Sequence, residues 1–94
     1  MSISRETAET VAAQALAWMA GQEDLIGAFL NATGAAADEL RGAMEDPGFM
    51  IAVLDFLMSR DDWVIGFCDA HGLPYDRPMV ARQALPGGAA VHWT

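Results

Sequence analysis

Apolar residues recur along this chain at helical spacing, and nothing alternates with the period of two that marks a half-buried strand. At about 100° per residue, Ala8, Val11, Ala15, Trp18 and Met19 share one face, while Glu6, Thr10 and Gln14 lie on another. This predicts a helix from about Ser4 to Ala20. Ser4 offers an N-cap oxygen, Glu6 lies against the positive helix end, and Gly21 stops the run. A second helix is predicted over about Gln22–Thr33, with Leu25, Ile26, Phe29, Leu30 and Thr33 as its stripe and Gly34 in the left-handed position beyond it. A short third helix, about Ala37–Glu45, turns Leu40, Ala43 and Met44 inward, and Gly42 weakens it by roughly 1 kcal/mol relative to alanine.

The fourth helix has the clearest start, with Asp46 as N-cap and Pro47 in the first helical position, and it continues to about Ser59. Phe49, Met50, Ile51, Val53, Leu54, Phe56, Leu57 and Met58 cover roughly 220° of its wheel, the mark of a helix covered by neighbours on several sides. It is therefore expected at the centre of the molecule. A fifth helix runs from Asp61 or Asp62 to His71 and stops at Gly72. Trp63, Val64, Phe67, Cys68 and Ala70 form one face, with Ile65 opposite beside Asp69. The last begins near Asp76, with Pro78 in its first turn, and reaches about Leu85 before Pro86-Gly87-Gly88 breaks it. The expected fold is all-α, a compact orthogonal bundle of five or six short helices. Residues 1–88 form its single domain, and 89–94 are a tail expected to be mobile.

Composition narrows the function. A chain of 94 residues makes one domain. Its charged fraction of 19% beside 53% hydrophobic residues rules out wholesale disorder. Asp and Glu total 13 against 5 basic residues, all arginine, for a net charge of −8. Such a balance, with no basic stripe, excludes nucleic acid and an anionic membrane surface as partners and attracts a basic protein. The densest apolar run, Phe49–Leu54 and Phe56–Met58, is too short to span a bilayer, which takes about 20 residues. Val11–Ala20 resembles a secretory core, but Glu6 and Glu9 outweigh Arg5 in its flank. With one cysteine there is no disulfide framework. The expectation is a soluble cytoplasmic protein.

Few residues carry candidate chemistry. Asp55 interrupts the most apolar stretch. It shares a narrow stripe with Gly48, Ala52 and Ser59, the natural solvent face of that helix; the sharper alternative is a pocketed acid. Cys68 and His71 are three apart on the fifth helix, within reach of one another, but too few for a metal site and without evident oxyanion donors. Asp55, Cys68 and His71 together make a weak polar site. The interaction candidates are Trp93 and His92 in the tail, Ile65 on the polar face of the fifth helix, and Trp63. Trp18 and Trp63 are otherwise expected in the core, as is Met79 with the other methionines. No phosphate loop, zinc spacing, Gly-x-Ser-x-Gly or HExxH run occurs, and no cofactor or metal is expected.

Trp18-Met19, Phe29-Leu30 followed by Thr33-Gly34, Leu40-Arg41, and Pro47-Gly48-Phe49 leading into Val53-Leu54-Asp55-Phe56-Leu57 resemble the small bacterial domain-of-unknown-function family numbered 3572, found chiefly in alphaproteobacteria. The likeness runs from about Ala12 to Gly88. It implies a short all-helical protein and brings no catalytic residues with it. The expected function is a non-catalytic protein-interaction module, its partner a basic protein or a second copy in a homodimer. A small-molecule or lipid carrier with a cavity between helices is the second reading. An enzyme acting through Cys68, His71 or Asp55 is the third.

Overall fold

Ser4 opens α1 (Arg5–Ala20) from an extended conformation, its hydroxyl oxygen accepting from the Thr7 amide at 3.1 Å. In the computed structural model, which describes residues 3–22 and 24–88, five helices of eight or more residues follow one another through short turns. Ala8, Val11, Ala12, Ala15 and Met19 are the buried face of α1. Three of these are alanines, so the backbones of neighbouring helices can approach closely. α2 (Leu25–Thr33) starts three residues later than the sequence predicts. The reason is local: the Leu25 amide donates to the Gln22 carbonyl at 3.1 Å, so the chain makes a tight turn before the helix can begin. Gly34 then ends α2 in the left-handed region, with φ 75°.

The predicted third helix is a 3₁₀ turn (Ala37–Glu39) followed by a single α turn, α3 (Leu40–Ala43). Ala36 has no capping side chain, and Glu39 reaches back to accept from its amide at 3.0 Å. Asp46 caps α4 (Pro47–Leu57) by accepting from the Gly48 amide at 3.0 Å. α5 (Asp61–His71) has Asp61 and Asp62 in its first turn and ends at Gly72, with φ 65°. α6 (Arg77–Ala84) holds Pro78 in its first turn, where a missing amide costs no helical bond.

α1 packs against α4, α6 and α2, while α4 also meets α6 and α2. The centre is thus shared by α1 and α4 rather than held by α4 alone. Met50, Val53, Leu54 and Leu57 of α4 are buried, but Phe49, Ile51, Phe56 and Met58 are only partly covered. Leu25, Phe29, Phe67, Cys68, Ala81 and Leu85 complete the core, and no polar or charged residue is buried among the described residues. The radius of gyration, 12.5 Å, is that of a chain of this length folded as one globule. Among the described residues no helix is long and apolar enough to cross a membrane.

Two expectations about the core are corrected. Trp18 and Trp63 are partly buried and pack against the edge of the core rather than lying wholly inside it. Met79 is 49% exposed. The inner face of α6 continues through Pro78, Ala81 and Leu85, and Met79 lies one residue off that line.

Candidate functional site

The tight turn joining α1 to α2 places the last turn of one beside the first turn of the other, and Trp63 of α5 reaches both. Between them a cleft of about 340 Å³ opens to solvent, lined by Trp18, Gln22, Asp24, Leu25, Ala28 and Trp63. Each indole is held from behind. Trp63 stacks on Phe56, with centroids 5.3 Å apart and planes 26° from parallel. Phe56 in turn meets buried Phe29 edge to face at 5.3 Å. The Arg60 guanidinium lies over Trp63 at 5.2 Å from the ring centroid and is clasped by Asp62 through bonds of 3.0 and 3.2 Å.

Trp18 meets buried Phe67 edge to face, with centroids 6.2 Å apart, and lies flush on the backbone of α5 at Gly66. A Cβ at position 66 would come within 2.9 Å of the Trp18 Cζ2 atom, so the absence of a side chain there makes the seat for the indole. Asp24 occupies the N-cap position of α2 in a helical conformation (φ −109°, ψ −1°), and its side chain makes no capping bond. Its carboxylate therefore stands at the cleft without being used by the helix it precedes. The result is a fixed apolar recess with an amide and a carboxylate at its edge.

Of the residues singled out in the sequence, Trp63 lines this cleft. Ile65, one residue along α5, is 45% exposed and not among the lining residues. His92 and Trp93 lie outside the described residues, as does the expected mobility of the tail. Asp55 is exposed on α4 and bonded in bidentate fashion to Arg82 of α6, whose Nη2 donates to Oδ2 at 3.3 Å. The same arginine donates through Nη1 to the Gly88 carbonyl at 2.9 Å, so it ties the turn after α6 to α4. Cys68 is fully buried. Burial pushes its thiol above the ordinary range, and the neighbouring Asp69 carboxylate adds to this, with Arg77 opposing. His71 is exposed and its ring lies against Phe67 at 4.9 Å between centroids. The partner of Asp55 is thus Arg82, while Cys68 is buried and His71 exposed on the same helix.

Trp18, Leu25 and Asp24 were not singled out as a site in the sequence. The available signal was a glycine in the middle of α5, at a position with no turn to make. Among the described residues no group of three or more histidine, cysteine or carboxylate side chains is placed to hold a metal ion.

No curated protein and no solved structure matches this chain. The profile of the family described as "Protein of unknown function (DUF3572)" matches residues 5–88, and the chain belongs to that family.

Proposed function

We propose that this chain is a non-catalytic protein-interaction module and that a partner protein docks a side chain into the cleft between α1, α2 and α5. The observation that carries this reading is the pair of partly buried indoles, Trp18 and Trp63, that line the cleft and pack from behind on Phe67 and Phe56. Tryptophan dominates binding hot spots, and a recess that is already rigid loses little entropy on occupation. The volume, about 340 Å³, lies at the small end of the range for whole small-molecule sites, roughly 300–1,000 Å³. A cytoplasmic setting is part of the proposal, since a free buried thiol at Cys68 fits a reducing compartment.

The test is native mass spectrometry of the untagged protein purified at low salt from its own host, beside the variant Ala28→Met. Ala28 lines the cleft and is exposed, so methionine fills the recess without entering the core. The expected result is a protein mass on the parent chain that is missing from the variant. A bound mass of a few hundred daltons would support the carrier instead. Bare chain in both samples, or a partner retained by Ala28→Met, would overturn the proposal.

A further inference from the structure

We infer that the side chain the cleft receives is a lysine or arginine from a basic segment of another protein. This rests on the reading of the cleft as a protein-docking site and names its occupant. The lining of the recess is mixed: Leu25, Ala28 and the two indoles are its apolar members, and Gln22 and Asp24 its polar ones. A long aliphatic stem ending in a cation matches that mixture, stem along the apolar wall and head at the carboxylate. A purely apolar side chain would leave the Asp24 carboxylate partly desolvated with nothing to answer it. An acidic side chain would face that carboxylate directly.

The charge of the whole chain points the same way. At net −8 it draws a basic partner and repels a second copy of itself. Three of its five arginines, Arg5, Arg60 and Arg82, are already paired within the chain to Glu9, Asp62 and Asp55. The Arg60 cation near Trp63 is no obstacle, since Asp62 clasps it at two points.

The experiment is a titration of the whole chain followed by nitrogen–proton NMR, reading the indole N–H signals of Trp18 and Trp63 and the amide of Asp24. The probes are the N-acetyl amides of lysine, arginine, norleucine and glutamate. Lysine and arginine should shift all three signals and bind about threefold to thirtyfold tighter than norleucine, the sum expected for one exposed ion pair and one exposed cation–π contact. Glutamate should bind weakest. In Asp24→Asn, which removes a charge but no capping bond, the preference for lysine over norleucine should fall by at least half on the logarithmic scale, with both still bound through the stem. Norleucine binding as well as lysine, or a preference unchanged in Asp24→Asn, would overturn the cationic occupant while leaving the docking site in place. If no probe moves the cleft signals, both the occupant and the docking site are refuted.

Discussion

Gly66→Ala sets two opposite effects against each other, and the structure says which should win. In a helix interior alanine is favoured over glycine by about 1 kcal/mol, so α5 by itself gains. The new Cβ, however, would lie 2.9 Å from Cζ2 of Trp18 and 3.4 Å from Cη2. Carbon atoms rest at about 3.5–4.0 Å, so the ring must withdraw by roughly 0.6 Å at the least. A gap of that size along its other contacts, including the one to Phe67, forfeits about a quarter to a half of their dispersion energy. Forced repacking of this kind costs about 1–3 kcal/mol. The net expectation is a loss of about 0–2 kcal/mol. Gly27→Ala is the comparison, because a Cβ on Gly27 in α2 meets nothing within 4 Å. That variant should gain about 0.5–1 kcal/mol. Thermal unfolding followed by circular dichroism separates the two, since 1 kcal/mol moves Tm by about 4–8 °C in a chain of this size. The near-ultraviolet signal should change in Gly66→Ala only. If Gly66→Ala stabilises the protein as much as Gly27→Ala does, Trp18 is not seated on α5 and the wall of the cleft is misplaced.

Other outcomes follow from named contacts. Arg82→Ala should cost about 1–2 kcal/mol in urea unfolding and Asp55→Asn about 1 kcal/mol or less, because Arg82 also holds the Gly88 carbonyl; equal effects would remove that bond from the account. Gly88→Ala should cost at least about 1 kcal/mol, since its Cβ would overlap the Arg82 carbonyl oxygen and open the turn that buries Leu85. Cys68 should resist iodoacetamide at neutral pH until the chain unfolds, and rapid labelling of folded protein would contradict its burial. Because its pKa is raised in the fold, the stability linked to the neutral thiol is fully present below the ordinary thiol value. It is lost as pH rises through the folded value, so Cys68→Ala should show a smaller alkaline decline than the parent.

The helices were legible because their signals are local. Ser4, Asp46, Pro47, Gly34 and Gly72 act through groups within a few residues of themselves, and each sits where the sequence places it. The start of α2 was missed because Gln22 looks like a helix residue but spends its carbonyl on a turn. The third helix was overestimated because three weak features, Ala36, Gly42 and a short length, add up against it. Met79 was misplaced because apolar character does not fix which part of the α6 surface faces α1 and α4. The cleft was not legible at all. It is a gap left between α1, α2 and α5, and its walls come from positions 18 to 28 and position 63.

Two choices at the edge of that gap are poor for the helices that carry them. Gly66 weakens α5 at a position where alanine would serve the helix better. Asp24 sits at the N-cap of α2 in a helical backbone conformation and forgoes the capping bond, which is commonly worth about 1 kcal/mol. Elsewhere the same chain uses Ser4 and Asp46 to cap their helices with direct bonds, so the composition does not lack good caps. Local rules in a stable fold tend to be broken where something other than stability is served. Here the glycine gives Trp18 its seat and the unused carboxylate stands beside it, so both departures shape one recess. If Asp24 were merely a failed cap, shifting it into a bonded geometry would be neutral for every interaction. If it serves the cleft, Asp24→Ser should leave the stability of α2 nearly unchanged, because the helical backbone there keeps either side chain from capping, while weakening the hold on a lysine side chain. Weaker lysine binding with stability held in the single variant Asp24→Ser is what the docking reading requires.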